Sequence, residues 1–312
     1  MGDNYIPKLS IFFALVLIVF SCNDGTDIKS SIELEDDVIQ KKDSPNLIEG
    51  TDPELNITIL LDLSDRLERN LQPDQMQRDI AIVSSITELF KTDMNTKGAY
   101  MAKGKLKVLF RPTPKDPNIN QLASTLNVDL SRLNNQEKKD IYDNITTNFT
   151  NSLGEIYDLT IDSKNWIGCD IWRFFKNDAA DLCVESSGNY KNILIICTDG
   201  YIFHEQSRDR IDKRSAYITE KYLTNEGFHG TQDWRTKFES NDYGLIKFDQ
   251  DLDNLEVIVL EVNSAEKHKN DEDILKAYWG KWFEEIGINR FELYNTDLPA
   301  NTKIRLNKFF RE

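Results

Sequence analysis

The chain is short of the residues that would staple or metal-clamp a fold. Four cysteines, Cys22, Cys169, Cys183 and Cys197, in 312 residues exclude a disulfide framework. If Cys22 is modified, Cys169, Cys183 and Cys197 leave room for one disulfide at most. The three histidines, His204, His229 and His268, share no metal-ligand spacing and read as surface residues. Basic residues are outnumbered: 38 Lys and Arg against 53 Asp and Glu leave a formal charge of -15. Such a field repels a phosphate backbone and excludes nucleic acid as the partner. Residues 11–20 form an unbroken apolar run, well short of the roughly 20 residues that span a bilayer. No internal repeat is present. No elbow motif surrounds Ser64 and no histidine base stands near it in sequence, so hydrolase chemistry has little support.

What is present divides the chain in three. Lys8, the apolar run and then Val19-Phe20-Ser21-Cys22 resemble a bacterial lipoprotein signal, with residues 1–21 as the signal peptide. That resemblance implies cleavage before Cys22 and lipid on its thiol, and several acyl chains would anchor where one would be marginal. Phe20 departs from the usual small or β-branched residue. Residues 22–55 are acidic, polar and without period, the composition of a disordered tether. Residues 56–312 remain as one large domain. With 39% hydrophobic residues overall, the chain has ample material for a core.

That domain centres on residues 56–67, NITILLDLSDRL. Ile57, Ile59, Leu60 and Leu61 put apolar groups on both faces, as in a central parallel strand. The run ends in Asp62, Leu63, Ser64, Asp65 and Arg66. Open α/β sheets bind ligands just beyond the carboxyl ends of their strands. An acid and a hydroxyl two residues apart there form a candidate oxygen-ligand site, both pointing one way if the chain stays extended. Residues 191–203, KNILIICTDGYIF, follow the same plan and end in Asp199-Gly200. Cys197 within this run reads as a small buried hydrophobe. Neighbouring strands of this kind would place both carboxylates at one rim.

The other elements alternate. Helical spacing predicts a helix over 72–94, with Pro73 in its first turn and Ile80, Val83, Ile86, Leu89 and Phe90 inward. A strand follows at 105–110, then a proline-broken loop, a short edge strand within 126–133 and a long helix over 135–161. The stripe Ile141, Ile145, Phe149, Leu153 and Ile156 on that helix packs on the sheet. Asp170 opens a helix whose Ile171, Phe174 and Phe175 face the core. Residues 205–221 read as a charged helix. Residues 222–251 read as irregular, pinned by Trp234 and Phe238. A strand at 255–262, a helix at 272–286, a strand at 291–294 and a helix at 299–310 close the chain. The alternation predicts an α/β fold, a doubly wound, mostly parallel, Rossmann-like sheet with helices on both faces.

Asp62-Leu63-Ser64 after the first strand and Thr198-Asp199-Gly200 after a later one resemble the von Willebrand factor A domain. Its metal-ion-dependent adhesion site uses DxSxS, a middle-loop threonine and an aspartate before glycine. Gly168-Cys169-Asp170-Ile171 fits the frame of the middle loop. The resemblance implies a magnesium or manganese site on Asp62, Ser64 and Asp199, with Asp170 nearby, and protein binding rather than catalysis. Two departures weaken it. Cys169 stands where threonine is expected, and a neutral thiol is a poor ligand for a hard cation. Arg66 stands at the second serine, and a guanidinium is always charged. Either Arg66 turns outward and leaves a weakened site, or it lies across Asp62 and Asp199 as a fixed internal cation. Both readings make the metal weak or absent.

The expectation is a lipid-anchored protein of the bacterial cell envelope that binds an unidentified envelope or surface protein. One rival is a magnesium-dependent phosphohydrolase of the haloacid dehalogenase type. That chemistry needs a second aspartate where Ser64 stands, and a lysine that no motif assigns. Another is a structural envelope module without a ligand site. Lipidation is checked by palmitate labelling: Cys22→Ser should abolish label and release the protein from the membrane fraction.

Overall fold

The computed structural model describes residues 52–311 except 167, 230, 265–267 and 269. The signal peptide, Cys22 and the tether up to residue 51 lie outside the described residues. The first strand, β1, spans Glu54–Leu61 and so begins two residues before the expected boundary at 56. In chain order there follow α1 (Gln75–Thr96), β2 (Lys105–Leu109), α2 (Pro117–Thr125), β3 (Asn127–Asp129), α3 (Asn135–Ser163), α4 (Ile171–Asn177), α5 (Ala179–Cys183) and β4 (Tyr190–Cys197). Two short strands, β5 (Arg210–Ile211) and β6 (Arg214–Ser215), precede α6 (Glu220–Asn225), α7 (Trp234–Ser240) and β7 (Gly244–Leu245). The chain closes with β8 (Leu255–Val262), α8 (Asp271–Glu285), β9 (Arg290–Asn295) and α9 (Pro299–Arg311).

Six strands form the central sheet in the order β3-β2-β1-β4-β8-β9. All its pairs are parallel except β2 with β3. The order reverses between β1 and β4, which is the switch point where doubly wound sheets open a crevice. Strand periodicity sends alternate residues to opposite faces. Ile57, Ile59, Leu61, Ile193, Ile195, Cys197, Ile258 and Leu260 join the core that includes residues of α1, α3 and α9. Leu60, Leu194, Ile196, Val257 and Val259 join the core that includes residues of α4, α5 and α8. A strand buried on both faces needs apolar groups at nearly every position, which is why these runs are continuous.

The helices follow the predicted faces. Ile145, Phe149, Leu153 and Ile156 are buried along α3, and Ile141 packs at the margin of the same core. Asn134 and Glu137 start this helix with a reciprocal capping box. Tyr278, Trp279, Trp282 and Phe283 are fully buried on α8. Pro73 lies ahead of α1 instead of in its first turn. The three cysteines among the described residues, Cys169, Cys183 and Cys197, are buried and unbridged.

The segment between β4 and β8 departs most from expectation. Residues 205–221 are not one helix. Arg210 pairs with Ser215 and Ile211 with Arg214 across a two-residue turn, where Asp212 takes a positive φ of 53°. The charged side chains are held in ion pairs rather than spread over a solvated helix face. Arg210 and Lys213 meet Glu226, and Arg214 forks between Asp242 and Glu285. Residues 222–251 are also more ordered than composition suggests, carrying α7 and β7. Trp234 and Phe238 are buried there, as expected. Phe149→Ala should cost about 3–5 kcal/mol, since it empties a fully covered site in the core that α3 shares with α1 and one face of the sheet. A lowered urea midpoint at unchanged m-value checks this.

Candidate functional site at the carboxyl rim

Register places the two motifs side by side. Leu61 pairs with Cys197 at the last rung between β1 and β4, so Asp62 and Thr198 leave the sheet together and Asp199 follows by one residue. The Asp62 amide still donates to the Cys197 carbonyl at 3.2 Å. Beyond that point the first strand turns. The Ser64 amide donates to Asp62 Oδ1 at 2.9 Å, and Ser64 caps a 3-10 turn over Asp65–Leu67. Asp62 is 4% exposed, and its Oδ2 accepts from the Thr198 hydroxyl at 3.0 Å. Thr198 was not among the predicted site residues, although its place beside Asp199 in the TDG triplet was the available signal.

Asp199 is oriented by its own turn. Its Oδ1 accepts from the Tyr201 amide at 3.0 Å, and its carbonyl accepts from the Asn263 amide at 2.9 Å. Gly200 takes φ +94°, and a Cβ there would come within 3.0 Å of Val262. Glycine is needed for both reasons. The Gly200 carbonyl accepts from the buried Trp279 indole at 2.8 Å, which ties the turn to α8.

Arg66 follows neither predicted course. It is buried, so it does not turn outward, and it does not lie across the two aspartates. Its Nε donates to the Asp62 carbonyl at 3.1 Å, and its Nη2 pairs with the wholly buried Asp79 on α1 at 2.5 Å. Asp79 also accepts from the Tyr157 hydroxyl at 2.7 Å and from Gln75 at 2.9 Å. Gln75 and Arg78 both donate to Glu261 at the end of β8. Glu261 takes a positive φ of 69° beside an irregularity in the β8–β9 ladder. A strained backbone of this kind persists where surrounding contacts over-determine it. Asp79 accounts for this course: a buried carboxylate on α1 offers Arg66 a partner that no motif spacing announces.

Cys169 and Asp170 also take other roles. Cys169 is buried and bridges to Phe203 in the backbone, and its thiol is pushed well above its ordinary pKa by burial and then by Asp62 and Asp170. Asp170 caps α4 through the Arg173 amide. Its carboxylate accepts from the Ser207 hydroxyl at 2.7 and 2.8 Å and lies 3.2 Å from His204 Nδ1. The histidines are therefore not free surface residues. His229 stacks on His268 with centroids 3.6 Å apart and faces the buried Asp271. Each imidazole sits against an acid, Asp170 for His204, Asp271 for His229 and Glu220 for His268.

Asp62, Ser64 and Asp199 line one cleft of about 660 Å³, with Cys169 in its wall; Asp170 is not among its lining residues. Trp166, Tyr201 and Phe203 contribute aromatic walls, and Asp65, Glu205, Lys115 and His204 line it as well. Burial pushes the Asp62 carboxyl up from the usual carboxylate range, against the pull of Arg66 and the hydrogen bonds from Thr198 and Ser64. Asp199 is pushed up to about 7, first by desolvation and then by the negative charge of Asp62. Among the described residues, no group of three or more His, Cys, Asp or Glu side chains is arranged to hold a metal ion.

No protein-family model and no curated protein matches the chain. Among solved structures, it is similar to the pilus adhesin SpaC from Lactobacillus rhamnosus GG in an open conformation. The identity is 14% and the TM-score 0.38, over 83% of this chain and 30% of the adhesin. A second crystal structure of that adhesin gives 12% identity and a TM-score of 0.37 over the same shares. The chain thus spans about 30% of that protein's length, and likeness at this level carries no functional weight.

The raised Asp199 pKa has a consequence for stability. An acid with a higher pKa folded than unfolded favours folding at low pH, and that contribution fades as pH rises from about 4 to about 7. Asp199→Asn should remove this slope and stabilise the protein at pH 8 by about 1–2 kcal/mol, allowing for partial exposure of the group. Melting temperature measured from pH 4 to 8 checks both.

Proposed function

We propose that the chain is an envelope-anchored binding protein whose domain resembles a von Willebrand factor A domain and engages a protein partner at the rim formed by β1 and β4. The single observation that supports it is the convergence of Asp62, Ser64 and Asp199 on one cleft at the switch point of the sheet. Proteins that bind ligands on open α/β sheets use this position. The membrane anchor belongs to the same proposal, through Cys22. Binding without turnover is favoured because the Ser64 hydroxyl accepts from the Arg66 amide at 3.4 Å and, among the described residues, no histidine is bonded to it.

Within this reading, a divalent cation is held weakly or not at all. Magnesium wants six oxygen ligands in near-octahedral array. Both Asp62 oxygens already accept hydrogen bonds, Asp170 is taken by Ser207, and the Cys169 thiol is held neutral. Ser64 and Asp199 remain as the freer donors, and one carboxylate with one hydroxyl holds a largely hydrated ion only weakly. Calorimetry with magnesium and manganese on the full chain should show no binding tighter than about millimolar. Micromolar affinity abolished by Asp62→Ala would defeat this part of the reading. Turnover of a generic phosphate ester with magnesium, lost in the same variant, would defeat the choice of binding over catalysis.

A further inference from the structure

We infer that the rim cleft takes a cationic side chain, the guanidinium or ammonium of an arginine or lysine on the partner, seated against Asp199 between aromatic walls, with the buried Asp62 behind it. The inference rests on reading this rim as a protein-binding face, and it reverses the charge that the adhesion-site resemblance would ask of the partner. A metal-dependent site presents a cation and receives a carboxylate. Here Asp62 and Asp170 are already hydrogen-bonded, Asp199 is the freer carboxylate, and the buried Arg66 is drawn beneath the site to Asp79. The cleft surface is left acidic. Asp62, Asp65 and Asp199 line it against Lys115 and His204; His204 is directed to Asp170, and Glu205, also in the lining, meets Arg208 at 3.9 Å.

The walls agree with this charge. Trp166 and Tyr201 line the cleft with the two aspartates, and aromatic faces attract ammonium and guanidinium groups most strongly when these are partly desolvated. Phe203, 45% exposed, already receives the Arg208 guanidinium over its ring at 5.4 Å, so this rim carries one cation–aromatic pair of the chain's own. A volume of about 660 Å³ exceeds what a single side chain fills and leaves room for the backbone that carries it. A guanidinium also needs no octahedral oxygen shell, and its planar fork can meet a carboxylate with two parallel hydrogen bonds.

The test uses the full chain in detergent and blocked pentapeptides, Gly-Gly-Xaa-Gly-Gly, with arginine, lysine, citrulline or glutamate at the centre. Ligand-observed NMR titration in 150 mM salt should give the arginine peptide at least about tenfold tighter binding than its isosteric neutral citrulline counterpart. Asp199→Asn should remove that preference. It leaves the Ser64 and Thr198 bonds to Asp62 in place, so it reports even if Asp62→Asn fails to fold. Trp166→Ala should weaken the arginine peptide about two- to fivefold, and the exposed Glu239→Gln, a charge change on α7, should leave it unaltered. Equal binding of arginine and citrulline overturns the inference, as does magnesium-dependent preference for glutamate. Capture of an envelope partner by wild type and by the Asp62→Asn/Asp199→Asn variant separates the two levels. Partner lost in the variant without any arginine preference sinks the cation alone, whereas partner retained by the variant sinks the cleft as the binding face.

Discussion

The parallel ladder between β1 and β4 is the constraint on which the rim depends. Eight consecutive register pairs run from Glu54 with Tyr190 to Leu61 with Cys197. A slip of one residue would exchange the two faces of a strand that is buried on both sides. It would also separate Asp62 from Thr198, whose hydroxyl holds the carboxylate in place. The same apolar packing that fixes the core therefore fixes the distance between two acids that lie 137 positions apart in the sequence.

Beneath the rim, a polar network does what the hydrophobic core cannot. The turn at Asp62 has left the sheet, so its backbone needs other partners. Arg66 supplies one by donating to the Asp62 carbonyl while its charge is met by Asp79. Burial opposes the charge on Arg66, and Asp79, Tyr157 and Asp62 more than offset that, so its pKa is raised. A buried ion pair adds little net stability, yet loss of one partner is costly, which makes such a pair a device for holding one geometry. Through Gln75 and Arg78 the network reaches Glu261 on β8, so α1, α3, β1 and β8 all bear on one turn.

The insertion between β4 and β8 builds the outer wall of the cleft. Phe203 bridges to Cys169 and Ile202 to Ile218, which lays the segment after Gly200 against the middle loop. This placement explains the fate of Cys169 and Asp170. Cys169 is covered by this segment, and Asp170 is turned to Ser207 and His204 within it.

The sequence by itself determined the α/β alternation, the inward faces of α1, α3 and α8, and the two strands that end in Asp62 and Asp199. These follow from local periodicity and from apolar runs, which are written residue by residue. It misled on 205–221, where Arg210, Lys213 and Arg214 resembled a solvated helix face. Their partners Glu226, Asp242 and Glu285 are distant in the chain, so pairing overrode local pattern. Only the tertiary structure decided the course of Arg66, because Asp79 becomes its neighbour only when α1 packs beneath the rim. It likewise decided that Asp170 serves the insertion and that Thr198 holds Asp62. Charges and hydroxyls act through space over a few ångströms, and which of them meet is settled by packing rather than by spacing along the chain.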